Sequence, residues 1–266
     1  MCRIACFPPL FPQDKALEIL LDFEHGNTDG VGSVHVQDGE FVVNKYPKSL
    51  SRVLKKDFSF LGHMPYNGWT LAHLRAASHG CNADRNTHPF VMGDMALIHN
   101  GIWSEYKIAK MILNNKKEIQ GETDSEIAAH VISRVGPKKF GKVVDYGGVF
   151  AMLYKNGEMW VVKTSGDLAA LRWKGKTLLA SELDFEYRRQ KNVNEGWFHF
   201  GIDGKLIDFK HYRESYMAPS GSYSKLKRVS LPLPSSPTKP RSSAVIFHKS
   251  YGKPTCRAEE MHEVWD

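Results

Sequence analysis

The second residue is the first to suggest chemistry. Cys2 follows Met1, and loss of an initiator Met before so small a side chain would leave a thiol and a free α-amine on one residue. Such an amine has an ordinary pKa of about 7.7–8.0, so a useful fraction is neutral near pH 7 and can take the thiol proton directly or through a water. Four further stretches gather charged and polar side chains: Thr70 to Gly80 (TLAHLRAASHG), Asn86 to Phe90 (NTHPF), Leu97 to Ile102 (LIHNGI) and Gly121 to Glu126 (GETDSE). Taken singly, their residues have ordinary explanations. Arg75 reads as a surface ion-pair partner, Asp124 as a first-turn carboxylate favoured by a helix dipole, and Asn100-Gly101 as a turn. His73, His79, His88 and His99 invite a metal reading, because histidine is the commonest metal ligand. Their spacing is irregular and no cysteine or carboxylate completes a ligand pattern, so neither a metal nor a cofactor is expected. His25 to Gly32 (HGNTDGVG) has the glycines of a phosphate loop without the Lys-Ser/Thr that would follow them, and reads as a turn.

These residues need elements to hold them. Cys2 to Phe7 alternates and stops at Pro8-Pro9, which predicts a short strand with Cys2, Ile4 and Cys6 on one face. Asp14 to Phe23 has helical spacing, and Val31–Val36 with Glu40–Asn44 flank an Asp38-Gly39 turn suited to a hairpin. Thr70–Ala76 and Met95–His99 read as buried strands that end just where the polar runs begin. Ser104–Asn115 is amphipathic, and Thr123 with Glu126 forms a capping box opening a second helix to about Arg134, stopped at Gly136-Pro137. Strands return at Val149–Tyr154, Met159–Thr164, Leu168–Trp173, Thr177–Ser181, Phe198–Ile202 and Leu206–Phe209. Strands, two helices and strands again predict an α+β fold of segregated layers rather than a doubly wound parallel sheet.

The 266 residues allow one domain of about 200 residues and an appendage, and no run reaches the ~20 apolar residues of a membrane span. Four cysteines without a CxxC pair suit a reducing compartment and point to no disulfide framework. With no secretory signal legible in the opening residues, a cytoplasmic location is expected. The net charge of +7 is concentrated late. Lys225, Lys227, Arg228, Lys239, Arg241, Lys249, Lys253 and Arg257 occur in residues 216–257 without an Asp or Glu. The expected division is therefore a domain at 2–215 and a disordered Ser/Pro/Lys/Arg-rich tail at 216–266, serving as linker or docking segment with weak, salt-sensitive affinity for polyanions.

In their order and separation, Cys2 and the four polar stretches resemble the class II glutamine amidotransferase domain, one of the N-terminal-nucleophile hydrolases. The similarity covers roughly residues 2–210 and is most specific between 70 and 130. The resemblance implies a four-layer αββα sandwich and hydrolysis of glutamine to glutamate and ammonia through a γ-glutamyl thioester on Cys2. It implies that Arg75 grips the substrate α-carboxylate, for which a guanidinium fork suits better than a lysine. Ser78 and His79 would border the same pocket. Asn100 and Gly101 would supply the oxyanion donors, each worth about 2.7–4 kcal/mol of barrier lowering, and Asp124 would hold the α-ammonium. Ammonia would pass to a separate synthetase or transferase, since residues 216–266 are too few to fold into one. Ala76, the NTHPF run and the DGVG segment depart toward stand-alone relatives that cut other γ-glutamyl amides. A hydrolase of another γ-glutamyl amide is thus one alternative, and a catalytically silent scaffold with a polyanion-binding tail is another.

Overall fold

Both faces of the first strand are apolar, and that decides the architecture. The computed structural model describes residues 2–56, 60, 68–113, 119–182 and 191–212; the expected tail lies outside them. In β1 (Arg3–Phe7), Ile4 and Cys6 enter one core while Ala5 and Phe7 enter another, as in a strand covered on both sides. With β2 (Gly30–Gln37), β3 (Glu40–Tyr46), β4 (Thr70–Arg75), β9 (Ala169–Trp173), β10 (Lys176–Ala180) and β11 (Lys191–Asn192) it forms a sheet in the order β11-β9-β10-β1-β4-β2-β3. A second sheet takes β5 (Phe90–Met92), β6 (Met95–Asn100), β7 (Val149–Tyr154), β8 (Met159–Lys163), β12 (Gly196–Phe200) and β13 (Leu206–His211) in the order β13-β12-β8-β7-β6-β5. Neighbouring strands are antiparallel, for example Ile4 opposite His73 and His99 opposite Phe150.

Three cores separate four layers. Helix α1 (Gln13–Phe23) buries Ala16, Ile19, Leu20 and Phe23 against Ala5, Phe7, Ala72 and Leu74, with α2 (Leu50–Leu54) contributing Leu50 and Val53. Between the sheets, Ile4, Cys6, Val34 and Leu71 meet Ala96, Ile98, Val149, Ala151 and Val161. On the outer face of the second sheet, Leu97, Phe150, Met152 and Val162 pack under α3 (Tyr106–Leu113), α4 (Asp124–Val135) and α5 (Pro137–Val143). Each large side chain buried in this way contributes about 1.5–3 kcal/mol, so the helix and strand periodicities are enforced by the layers they must fill. This is the αββα sandwich. Among the described residues no helix is long and apolar enough to cross a membrane.

Local details differ from the sequence reading for physical reasons. The Thr123 hydroxyl accepts the Glu126 N–H at 3.3 Å, but the Glu126 carboxylate reaches past the cap to the N–H groups of Gln120 (2.8 Å) and Gly121 (2.7 Å). It anchors the entering chain rather than closing a box. Gly136 ends α4 at φ 79°, and Pro137 opens α5 at its first position, where the missing N–H has no bond to lose. The Gly136-Pro137 stop is therefore also a start. Among the described residues Cys2 and Cys6 are free thiols.

Candidate active site

Four elements deliver the candidate residues to one end of the two sheets. Cys2 precedes β1, Arg75 closes β4, Asn100 closes β6, and Asp124 opens α4. Because β1 and β4 are antiparallel with Arg3 opposite Leu74, Cys2 comes level with the end of β4. Its thiol donates to the Ala76 carbonyl at 3.5 Å and its sulfur accepts the Ala76 N–H at 3.4 Å. Burial pushes the thiol pKa up; the Ala76 N–H and the Arg75 charge draw it back, and Asp124 pushes it further up. The sulfur is therefore held as a thiol, and an attack would need a base at hand.

Asn100 and Gly101 are fixed by backbone contact and by one hydroxyl. An added methyl at Gly101 would lie 2.1 Å from the Gly147 carbonyl oxygen, and one at Gly148 would lie 2.3 Å from that of Asn100. Only glycines allow the ends of β6 and β7 to approach so closely. The Asn100 amide Nδ2 donates to Ser181 Oγ at 3.1 Å, and the same oxygen accepts the Ile4 N–H at 2.9 Å. Asn100 is thus joined through Ser181 to the strand that carries Cys2.

Asp124 is 4% exposed. Its carboxylate accepts from the Trp103 N–H at 2.7 Å and from the Ser125 N–H at 2.9 Å. Beneath it His99 bonds Ser125 Oγ at 2.9 Å and the Gly147 carbonyl at 2.8 Å, with its ring stacked on Phe150. Burial lowers the His99 pKa despite Asp124 nearby. His73 stacks on His88 and meets the His99 carbonyl at 3.1 Å; burial drops His73 to about 3 and His88 well below its ordinary value. These three are neutral packing rings at neutral pH. Among the described residues no cluster of histidine, cysteine and carboxylate groups could hold a metal.

Arg75 closes β4, and its guanidinium is engaged. Nη1 donates to the Cys81 carbonyl (2.9 Å) and Asn82 Oδ1 (3.3 Å), and Nη2 to the carbonyls of His79 (2.6 Å) and Gly80 (3.1 Å). It organises the 79–82 loop, and holding a substrate carboxylate would require some of these donors to change partner. Ser78 is exposed, and its hydroxyl meets His79 Nδ1 at 3.2 Å while the His79 ring meets the edge of Tyr106.

Several supporting residues carry no local signal in the sequence. Asp29 accepts the Ala77 N–H at 3.0 Å and the Asn82 amide at 3.4 Å. Asn86 bonds the Cys81 carbonyl, the Glu122 N–H and the Glu122 carboxylate, tying the 79–82 loop to the approach of α4. A methyl at Gly32 would sit 1.9 Å from the His88 carbonyl oxygen, so the DGVG and NTHPF segments interlock. The Gly147-Gly148 pair before β7 was the one visible clue to the close approach at Asn100-Gly101.

The chain resembles glutamine–fructose-6-phosphate aminotransferases [isomerizing]. It is 46% identical to that of Chlorobaculum tepidum over 68 residues (24% of this chain, 11% of the relative). The identity is 33% over 132 residues to that of Aquifex aeolicus (46% and 21%) and 29% over 158 residues to that of Mycobacterium bovis (57% and 25%). The chain thus spans a quarter or less of the length of these curated relatives. No family model matches it. Among solved structures, the glutamine phosphoribosylpyrophosphate amidotransferase of B. subtilis, complexed with ADP and GMP, superposes with a TM-score of 0.63 at 19% identity, covering 80% of this chain and 49% of that one. A structure described as the allosteric regulatory enzyme of purine biosynthesis gives 0.62 with the same identity and coverage. What the chain shares with both is the fold.

Proposed function

We propose that this chain, related in sequence and in fold to the class II glutamine amidotransferases, hydrolyses glutamine to glutamate and ammonia with Cys2 as nucleophile. The observation that carries the reading is the Cys2 thiol at the end of β4, bonded to the Ala76 N–H and within the electrostatic reach of the Arg75 guanidinium and the Asp124 carboxylate. With Met1 removed, the Cys2 amine takes the thiol proton. The sulfur then adds to the γ-amide carbon. The second N–H of the Asn100 amide and the Gly101 N–H stabilise the resulting oxyanion. The C–N bond breaks with proton return to nitrogen, ammonia leaves, and water cleaves the γ-glutamyl thioester to give glutamate and the free thiol. A thiol needs a base before it attacks, and the amine of the same residue supplies one.

Arg75 and Asp124 receive the two charged ends of the amino acid, with Ser78 and His79 at the border. The ammonia passes to a separate synthetase or transferase in the cytoplasm; the aminotransferase activity in the relatives' names supports transfer of the glutamine nitrogen to an acceptor. Intact-mass measurement tests the core of the reading. The isolated protein should lack Met1, should gain one adduct from a glutamine-mimicking electrophile, and should lose that adduct together with at least about 10⁴-fold of kcat on Cys2→Ala. A fully active protein that retains Met1 would refute it. Affinity capture of the tagged chain should recover the acceptor enzyme.

A further inference from the structure

Away from Cys2, a cleft of about 820 Å³ opens between α4, β5 and the end of β3. None of Cys2, Arg75, Asn100, Gly101 or Asp124 lines it. Its size falls in the range of small-molecule sites, about 300–1,000 Å³. Three cations stand in its wall, Lys45, Arg85 and Arg134, contributed by β3, the 3-10 turn Asp84–Asn86 and the last turn of α4. Asp94 and Glu126 are the carboxylates there, and the Glu126 oxygens are already bound by the N–H groups of Gln120 and Gly121. Positive charge is therefore in excess.

Two observations show that this is more than a basic surface. Lys45 and Arg134 have no hydrogen-bond or ion-pair partner among the described residues, and Lys45 Nζ instead lies 5.3 Å from the centre of the Phe90 ring. Burial holds the Lys45 pKa down although Asp84 and Glu126 draw it up, so an arriving anion would restore favourable surroundings for its charge. His130, only 6% exposed, has an Nε2 atom without a hydrogen-bond partner and belongs to the same wall. The remaining surface includes Phe90, Met92 and Ile132. A guanidinium fork and a lysine together suit a doubly charged tetrahedral anion, and the apolar side suits an organic body attached to it.

We propose that this cleft is a binding site for an organic phosphate, distinct from the Cys2 site, with Lys45 and Arg134 as the principal phosphate contacts and Phe90 and Met92 against the organic part. The reading does not rest on glutamine hydrolysis, because binding can be measured directly. Phenyl phosphate, inorganic phosphate and phenol titrated calorimetrically into the full chain separate the two halves of the ligand. Phenyl phosphate should bind saturably and at least about ten-fold more tightly than either fragment, with affinity falling as salt rises. Lys45→Gln combined with Arg134→Gln should weaken it a further ten-fold or more while leaving the melting temperature and the rate of glutamine turnover without phosphate unchanged. Arg134→Ala alone, at an exposed position, supplies a variant whose folding is not in question and should weaken binding about three-fold. Equal affinity for phenyl phosphate and phenol, no saturable binding, or affinity unaltered in both variants would overturn the proposal.

Discussion

The two halves of the candidate site are built differently. Asn100, Gly101 and Asp124 sit on the last residue of a strand, its immediate successor and the first residue of a helix, locked by backbone contacts with Gly147-Gly148 and by the Trp103 N–H. The Arg75 half is a loop, residues 76–82, whose carbonyls are collected by a guanidinium and whose N–H groups and side chains are tied to Asp29, Asn86 and Glu122. An extra methyl at Gly101 meets backbone at 2.1 Å, while one at Gly80 meets the Asn86 side chain at 2.6 Å. One half is rigid because the main chain cannot yield. The other is ordered by polar side chains that can exchange partners, a property suited to the substrate binding proposed for it.

That contrast can be broken at either half. Gly101→Ala carries the largest expected effect, a loss above about 4 kcal/mol in the urea unfolding free energy or outright failure to fold; a stable variant would show that the two strand ends can part. Asn100→Ala should fold normally and lower kcat about 10²–10³-fold, close to 2.7–4 kcal/mol, with little change in KM, because an oxyanion donor acts mainly in the transition state. Arg75→Lys tests the loop half, and should raise KM at least about ten-fold and also lower the melting temperature, since an ammonium cannot span four acceptors. An effect on kcat alone would place Arg75 elsewhere in the chemistry.

Acid should erode the packing behind both halves through three buried histidines. Burial depresses the pKa values of His73, His88 and His99 below their ordinary values, so the unfolded chain takes up their protons first as pH falls. The stability they confer is complete above about pH 6.5 and is lost as pH drops toward the folded value, about 3 for His73. Each group adds up to about 1.4 kcal/mol per pH unit to that slope. His88→Phe removes a ring whose nitrogens have no partner and should flatten the slope between pH 6 and 4 in denaturation midpoints.

What could be read from the residues was the regular half. The alternation at Ile4 and Cys6, the buried runs at 70–76 and 95–99 and the cap at Thr123 all report local periodicity, and each leads to a strand or helix end where a candidate residue stands. The supports of the loop half were not legible in that way. Asp29 reaches Asn82, Asn86 reaches Glu122 and Ser181 reaches Asn100 across separations of 53, 36 and 81 residues, and an isolated Asp, Asn or Ser carries no mark of a partner so far along the chain. Arg75 was found by its position, but its bonds to the carbonyls of residues 79–81 depend on how the loop curls back. The short β5 and the helix begun by Pro137 escaped because three residues show no period and a proline reads as an ending. The 216–266 segment lies outside the described residues.

Ser181 repays a last look. Two sheets that touch only through interdigitated hydrocarbon can creep past one another, and nothing in such an arrangement would notice a displacement of half an ångström. A single hydroxyl that answers at once to the main chain of Ile4 and to the amide of Asn100 acts as an alignment pin at the working edge. Any slippage there forfeits both attachments together, so the end of β6 is held in register with the strand that follows Cys2 by a side chain no larger than a hydroxymethyl group.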